Sequence, residues 1–179
     1  DGFIFKLDDM ATASVQGYGL DQTFEMWPDF AKYLSGGWFE EFVYLQCKPY
    51  EDAGVIKDLR INVKLNLNSD QSKGYSSFGV EYNELDITFT DGYSLYIVEC
   101  KAGNVTQEQI MKLQNLVRFY GGIEGRGIIA CCVLPNTESA KKKIKDAKLT
   151  LWRGASLSKQ IKEMMNSITE RAEASDVTS

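Results

Sequence analysis

Histidine does not occur in this chain of 179 residues. Its absence excludes Ser-His-Asp triads, zinc sites built on histidine, and catalysis by a histidine general base. Any catalytic chemistry must therefore use carboxylates, lysine, tyrosine or water activated by a metal ion.

Long apolar runs, a basic-then-apolar leader and paired CxxC motifs are also missing. We therefore expect neither a membrane span nor a signal peptide, and we predict a soluble protein. Cys131 and Cys132 are adjacent within an apolar run, whereas Cys47 and Cys100 are isolated. This pattern favours reduced thiols in a cytoplasmic protein. Because the sequence starts with Asp1 instead of methionine, we interpret it as a fragment or a processed product.

Acidic residues outnumber basic ones in this chain. The formal net charge is −5 at pH 7, and the pI is about 4.9. Such a chain does not hold nucleic acid through a general positive field, so any electrostatic contact would need a local basic patch. The densest basic run, residues 141–148, either follows a phosphate backbone or forms the solvated face of a helix.

Length and composition predict one compact domain, because 44% of the residues are hydrophobic. Residues 1–28 show no sustained period, and we interpret them as an irregular N-terminal extension or the remnant of a linker. Residues 29–172 form the predicted domain, and residues 173–179 form a polar tail. Hydrophobic periodicity predicts a helix, three strands, then helix, strand, helix, strand and helix. This order indicates an α/β fold with helices on both faces of a mixed sheet.

The first helix and the first strand carry the clearest periodic patterns. The helix starts at Asp29 and is interrupted at residues 35–37. It resumes with an apolar face formed by Trp38, Phe42 and Leu45, flanked by Phe39 and Val43. The strand alternates through DLRINVKLNLN, which predicts one buried face carrying Leu59, Ile61, Val63, Leu65 and Leu67. A polar, glycine-containing loop is expected at residues 69–79.

The next two strands form a predicted hairpin in the segment NELDITFTDGYSLYIVECKAG, residues 83–103. Asp91-Gly92 indicates a two-residue turn. Side-chain alternation then places Asp86, Glu99 and Lys101 on one face of the sheet. A four-residue turn would preserve this placement, whereas a three-residue turn would destroy it. Asp86 and Glu99 would be diagonal neighbours with Cβ atoms about 7 to 8 Å apart, close enough to share one cation.

Two carboxylates on a partly apolar sheet repel each other unless a positive charge compensates them. Lys101 could supply that charge, and so could Mg²⁺ or Mn²⁺, which prefer oxygen ligands. The simplest alternative is that these side chains are solvated residues at the edge of the sheet. Side-chain alternation places Glu84 on the same face as Asp86, and we expect it at the rim of the site.

The spacing of these residues resembles the PD-(D/E)XK nuclease superfamily, in which an aspartate and a (D/E)XK motif lie on adjacent strands. Here twelve residues separate Asp86 from Glu99-Cys100-Lys101. The segments GGWFEEFVY and NELDITFTDGYSLYIVECKAG, with a following helix that ends in YGG, are similar to one group in particular. This group is the C-terminal nuclease domain of CRISPR-associated effectors that carry an N-terminal CARF sensor for cyclic oligoadenylate. The likeness extends from about Gly36 to Leu134 and implies a restriction-endonuclease-like core.

The resemblance also implies roles for individual residues. The catalytic residues would be Asp86, Glu99 and Lys101. The metal ligands would be Glu40, Asp86, Glu99 and the backbone carbonyl of Cys100. Glu41 is the alternative to Glu40, although acidic residues in the first turn of a helix are also favoured by its dipole alone.

Two further features of the resemblance concern substrate contact and the motif itself. Lys112 and Gln114, on the helix after the hairpin, would reach substrate phosphate or water, or else solvate the helix surface. Leu85 stands where the motif has proline, which is a common relaxation.

The implied function is that of a metal-dependent endonuclease hydrolysing phosphodiester bonds in DNA or RNA, with Mg²⁺ or Mn²⁺ as cofactor. The resemblance further implies single-stranded substrates, a homodimer, an upstream CARF domain and a role in antiviral defence. Two alternatives remain open. One is a catalytically silent PD-(D/E)XK-like module that binds nucleic acid or scaffolds an assembly. The other is a restriction-type or structure-specific endonuclease.

Overall fold

The computed structural model describes residues 4–7, 12–17, 20–66, 81–133 and 138–176. Its strands are β1 (Ile4–Leu7), β2 (Ala13–Gly17), β3 (Leu20–Phe24), β4 (Lys57–Asn66), β5 (Glu81–Thr90), β6 (Leu95–Lys101), β7 (Arg126–Cys131) and β8 (Thr150–Arg153). Its helices are α1 (Trp27–Lys32), α2 (Trp38–Asp52), α3 (Gln107–Tyr120), α4 (Glu138–Asp146) and α5 (Leu157–Asp176). A π-helical turn, Tyr33–Gly37, joins α1 to α2.

The central sheet has five strands in the order β4-β5-β6-β7-β8. Strands β4, β5 and β6 are antiparallel, whereas β7 and β8 continue parallel to β6. Parallel neighbours need a crossover connection, and α3 and α4 supply these connections. The predicted order of elements from α2 onward and the predicted mixed sheet are both confirmed.

Helices cover both faces of this sheet, as predicted. On one face, α2 and α5 pack over a core that includes Val43 and Val98. On the other face, α3 and α4 pack over a core that includes Ile97 and Ile129. Each fully buried aliphatic side chain contributes roughly 1.5 to 3 kcal/mol to folding. Strand β6 is therefore held between two apolar layers, and its charged residues have little freedom to move.

The N-terminal segment differs from the prediction of irregular structure. Strands β1, β2 and β3 form a three-stranded antiparallel sheet. Ala13 and Val15 of this sheet are buried against Phe30 of α1, with Phe24 and Tyr33 at the margin. The prediction was wrong because the strands IFKL, ASVQG and LDQTF are short and do not alternate strictly between apolar and polar residues.

Helix α1 and α2 form a nearly continuous helical segment. The helix begins at Trp27, two residues before the predicted start, and residues 35–37 widen into the π-helical turn instead of interrupting it. The buried row of α2 consists of Phe39, Val43 and Cys47. Trp38 and Phe42, expected at the centre of the apolar face, pack at its margin. Apolar residues cover so much of the helix circumference that their spacing could not identify the central row.

Strand β4 does not keep one apolar face along its length. Ile61 packs in the core under α2, whereas Val63 packs in the core under α3. Asn62, between them, has a left-handed backbone with φ of 54°, and this conformation turns the strand over. The prediction of one continuous buried face was therefore wrong. Leu67 and the predicted loop at residues 69–79 lie outside the described residues.

The remaining elements agree with the sequence patterns. Helix α3 begins with the predicted capping box, formed by Thr106 and Gln109. Helix α4 carries the basic run and contacts the core through Ile144, which agrees with the solvated-face alternative. Helix α5 extends to Asp176, beyond the expected start of the tail. Among the described residues, no helix has the length and apolar character that crossing a membrane requires.

Candidate active site

The connection between β5 and β6 sets the register of the candidate site. It contains the four residues Asp91–Ser94, not the two-residue turn that was predicted. Asp91 Oδ1 stabilises the turn by accepting the N–H groups of Tyr93 at 3.0 Å and Ser94 at 2.7 Å. The even number of turn residues preserves side-chain parity. Continuing the observed pairing places Asp86 directly opposite Glu99 instead of diagonal to it.

Asp86, Glu99 and Lys101 come together at the end of this hairpin. Lys101 Nζ lies 2.7 Å from Glu99 Oε1 and 3.7 Å from Asp86 Oδ2. The Cys100 N–H donates a hydrogen bond to Asp86 Oδ2 at 2.7 Å. The Cys100 side chain points into the core under α2. The acidic and basic side chains therefore form one cluster, which is buried enough to make their charges interact strongly.

The electrostatics of this cluster differ from those of a solvated edge. Burial raises the pKa of Asp86 to about 6, and the charge of Glu99 adds to the effect, against the opposing Cys100 N–H and Lys101. Burial alone would lower the pKa of Lys101, but the hydrogen bond and charge of Glu99, together with Asp86, raise it above its usual value. Only 8% of the Glu99 side chain and 14% of the Asp86 side chain are exposed. The solvated-edge alternative does not describe these residues.

Glu40, in the first turn of α2, faces Asp86 across a cleft. We call this space the carboxylate cleft; its volume is about 330 Å³ and its lining includes Phe24, Asp29, Lys32, Tyr33, Glu40, Asn62, Glu84 and Asp86. Burial raises the pKa of Glu40, and Lys101 opposes that rise. Glu84 is exposed and stands at the rim, where it was expected. The cleft thus joins a helix glutamate to the strand carboxylates.

Glu41, the alternative to Glu40, is directed elsewhere. Its Oε2 accepts the Tyr33 hydroxyl at 2.7 Å, and its Oε1 accepts the Gln22 side-chain amide at 2.7 Å. Both carboxylate oxygens therefore have protein partners, and Glu41 itself does not line the carboxylate cleft. The structure brings Glu40, and not Glu41, toward Asp86.

Lys112 and Gln114 do not line the carboxylate cleft. Lys112 is exposed in a separate groove along α3, and Gln114 lines another groove between α3 and α4. Their predicted contact with substrate phosphate stays a prediction. Cys132, which follows β7, contacts the backbone of β6, because its N–H donates to the Lys101 carbonyl at 3.2 Å.

Several residues of the carboxylate cleft were missed by sequence reasoning. Lys32 and Tyr33 belong to a segment that has no catalytic motif, and Phe24 lies on a strand that was not predicted. Asn62, which stands opposite Asp86 in the β4–β5 register, offered one usable signal. An asparagine within a strand pattern tolerates left-handed backbone, and so marks a place where a strand can turn.

The donor set suits a hard divalent cation. Asp86 and Glu99 provide carboxylate oxygens, and the Lys101 ammonium already stands where these two carboxylates need positive charge. Within the described residues, however, no three acidic or thiol groups are close enough to form a ready-made metal site. A cation here would therefore depend on the two strand carboxylates, with Glu40 and a backbone carbonyl approaching from the sides.

Comparisons with known proteins place this geometry in a family. Residues 29–171 match the model of the Card1-like endonuclease domain. No curated protein sequence matches the chain. The crystal structure of protein VC1899 from Vibrio cholerae is similar, with a TM-score of 0.65 and 21% identity. So is the structure of Can2 from Sulfobacillus thermosulfidooxidans in complex with cyclic tetra-adenylate, with a TM-score of 0.58 and 27% identity.

The two similar structures match most of this chain but only part of their own chains. The match covers 79% of this chain and 36% of the VC1899 chain, and 75% of this chain and 35% of the Can2 chain. The chain thus spans about a third of the length of these two proteins. The five-stranded mixed sheet with helices on both faces is the restriction-endonuclease-like PD-(D/E)XK fold. Because the family model covers most of the sequence, the chain belongs to the Card1-like endonuclease domain family.

Proposed function

We propose that this domain is a metal-dependent nuclease that hydrolyses phosphodiester bonds of single-stranded DNA or RNA, as the effector part of a CRISPR-associated protein. The observation that carries the proposal is the cluster of Asp86, Glu99 and Lys101, in which Asp86 lines the carboxylate cleft. A structural ion pair would not require a second buried carboxylate, whose repulsion costs folding free energy.

Asp86, Glu99 and the Cys100 carbonyl would hold Mg²⁺ or Mn²⁺, with Glu40 as a further ligand. When bound, such an ion stabilises the charge that develops on the phosphoryl oxygens and lowers the pKa of the attacking water. Glu40 and Asp86 line the same cleft, so both carboxylates can approach one cation.

Lys101 acts in this mechanism as a cation and not as a base. Its raised pKa keeps the amine protonated at neutral pH. The ammonium would donate hydrogen bonds to the attacking water or to an oxygen of the scissile phosphate, and so orient them for in-line attack. Its contact with Glu99 fixes the direction of that donation.

The residues that precede α2 and line the carboxylate cleft would contact the substrate from the side opposite Asp86. Lys32 is exposed and lines the carboxylate cleft, and no ion pair to it occurs among the described residues. Its ammonium is close enough to Glu40 to influence the ionisation of that carboxyl. Lys32 would therefore bind a phosphate next to the scissile one.

The wider biological setting is also a proposal. The Can2 structure was determined with cyclic tetra-adenylate, and this chain spans about a third of that protein. We propose that the complete protein has an upstream CARF sensor for cyclic oligoadenylate, acts in antiviral defence and forms a homodimer. Cleavage by the complete protein, measured with and without cyclic tetra-adenylate, tests this setting.

The nuclease activity itself can be tested with the 179-residue chain. Single-stranded RNA, single-stranded DNA and duplex plasmid should be incubated with Mn²⁺, Mg²⁺ or EDTA. We expect cleavage of single strands in the metal-containing samples and none in EDTA, and loss of cleavage in Glu99→Gln. Asp52→Asn, an exposed carboxylate at the other end of α2, is the control and should cleave normally. Robust cleavage in EDTA would contradict the mechanism.

A silent binding module remains the second candidate, because the described residues hold no ready-made three-ligand site. Calorimetric titration of Mn²⁺ into the wild type and Asp86→Asn separates the two proposals. A metal-dependent nuclease should lose most of its binding heat in the variant. Equal heats would favour the silent module.

A further inference from the structure

Glu41 connects three segments of the chain through one carboxylate. It belongs to the first turn of α2 and accepts hydrogen bonds from Tyr33 in the π-helical turn and Gln22 in β3, both at 2.7 Å. The side chains of Glu41, Tyr33 and Gln22 are all partly buried. Hydrogen bonds to a charged acceptor are stronger than neutral ones. We call this arrangement the Glu41 bridge.

The two donors of the Glu41 bridge are Gln22 of β3 and Tyr33 of the π-helical turn. The ring of Tyr33 lies against Phe24 of β3, with centroids 4.9 Å apart. Burial and the neighbouring Glu41 carboxylate raise the pKa of Tyr33, so its hydroxyl remains a donor. The N-terminal sheet is therefore attached to α2 by both packing and hydrogen bonds.

The backbone between Tyr33 and α2 is helical, with the Trp38 N–H bonded to the Tyr33 carbonyl, but it contains two glycines. Gly36 and Gly37 lie there, and a Cβ at Gly36 would meet no atom within 4 Å. The first turn of α2 has no side-chain cap. Glycine has a wide choice of backbone conformations, and π-helical turns occur often at functional sites. Contacts made by the side chains of the first turn of α2, namely the burial of Phe39 and the Glu41 bridge, therefore help to fix its position.

Glu40 is adjacent to Glu41 in that same turn. It projects into the carboxylate cleft while Glu41 projects away, since consecutive helix residues point in different directions. Any shift of the turn changes the separation of Glu40 from Asp86 on the sheet. Catalytic groups lose much of their effect when they are displaced by about 1 Å.

We propose that Glu41, Tyr33 and Gln22 are positioning residues that fix Glu40 at the carboxylate cleft, so that the N-terminal sheet sets the geometry of the active site. This inference rests on the proposed nuclease function. It also extends the working site beyond residues 29–171, which match the family model, because Gln22 and Phe24 precede them.

Tyr33→Phe is the sharpest test, because it removes the donating hydroxyl and keeps the ring against Phe24. We expect kcat in Mn²⁺ to fall roughly tenfold or more while KM for nucleic acid changes little. Calorimetry should show weaker Mn²⁺ binding. Amide hydrogen exchange in residues 38–42 should become faster, since the first turn of α2 opens more readily.

Tyr96→Phe is the matched control. The Tyr96 hydroxyl also donates to a carboxylate, that of Asp91, at 2.8 Å, but near the start of β6 and away from Lys101. Tyr96→Phe should lower the melting temperature without changing kcat, Mn²⁺ affinity or amide hydrogen exchange in α2. This control separates a positioning role from a general loss of stability.

Substitution of the carboxylate provides a second test. Glu41→Gln keeps one carbonyl acceptor and should retain more activity than Glu41→Ala, at similar KM. Unchanged kcat, Mn²⁺ affinity and hydrogen exchange in Tyr33→Phe and Glu41→Ala would overturn the inference. If the wild type cleaves nothing, the proposed function fails instead, and hydrogen exchange in residues 38–42 still decides the role of the Glu41 bridge.

Discussion

At the scale of single residues, Asp86 shows how a functional group can oppose stability. It is buried beside Glu99, and the Cys100 N–H and the Lys101 ammonium offset part of the cost of its charge. An uncharged residue of the same shape would avoid that cost. Active-site residues commonly lower stability in this way.

Asp86→Asn should therefore change the pH dependence of stability. Because burial raises the pKa of Asp86 to about 6, the native state binds the proton more tightly than the unfolded chain. The free energy of unfolding then falls as the pH rises from about 4 to about 6, by roughly 2 to 3 kcal/mol from this group. We expect the metal-free variant to lack this decrease and to be more stable than the wild type at pH 7, as measured by urea unfolding in EDTA. An identical pH profile for both proteins would contradict the assignment.

Lys101→Met should separate metal binding from catalysis. It removes the ammonium that orients water or phosphate, and we expect kcat to fall by about 10² to 10³, as when one transition-state donor is lost. Asp86 and Glu99 remain, so Mn²⁺ should still bind in calorimetry. Lys48→Met is a suitable control, since Lys48 also bridges two carboxylates, Glu51 at 2.7 Å and Asp52 at 3.0 Å. Loss of cleavage in both variants would argue against a specific role for Lys101.

The clustering of Asp86, Glu99 and Lys101 could be predicted from sequence because side-chain alternation survives any turn with an even number of residues. The choice between Glu40 and Glu41 could not be predicted from spacing alone. Both lie in the first turn of α2, and their directions depend on Tyr33 and Gln22. Contacts of this kind arise only after distant segments pack together.

At the scale of elements, the turn in β4 shapes the edge of the carboxylate cleft. Asn62 has φ of 54° and lies opposite Asp86 in the β4–β5 register. Leu85 and Ile87, on either side of Asp86, pack in different cores. The alternating pattern of β4 predicted a strand correctly, but hydrophobicity alone could not reveal a left-handed residue within it.

Substitutions at Asn62 should distinguish backbone strain from side-chain packing. A β-branched residue is disfavoured in the left-handed region, so Asn62→Val should lower the free energy of unfolding by about 1 to 2 kcal/mol. Asn62→Gly should be close to neutral, because glycine adopts this backbone freely. Urea unfolding measures both. Arg60→Val, at an exposed position of the same strand, is the control and should cost less than Asn62→Val.

At the scale of the whole molecule, an acidic protein must act on a polyanion. With a net charge of −5, general electrostatic attraction to nucleic acid is unfavourable. Binding should therefore rely on the metal ion and on a small number of local cations such as Lys32. Helix α4, whose lysines form a solvated face, need not take part.

The salt dependence of binding tests this view. Because turnover is expected to be slow in Lys101→Met, this variant in Mn²⁺ allows binding to a labelled single strand to be measured. With fewer than about three phosphate contacts, the logarithm of affinity should fall with the logarithm of salt concentration with a slope shallower than about −2. Lys32→Ala should reduce that slope by about 0.7, and Lys142→Ala on α4 should leave it unchanged. A steep slope, reduced by Lys142→Ala, would instead make α4 part of the binding surface.

The burial of cysteines offers a practical route to watching this site work. Burial raises the pKa of all four cysteine thiols, but only Cys47, Cys100 and Cys131 are buried from reagents. Cys132 is partly exposed, and its N–H bonds the Lys101 carbonyl at 3.2 Å. A maleimide dye added to the native protein should therefore attach preferentially at Cys132. The sequence thus carries a labelling position beside Lys101, the proposed catalytic lysine, from which fluorescence could follow the arrival of substrate in real time.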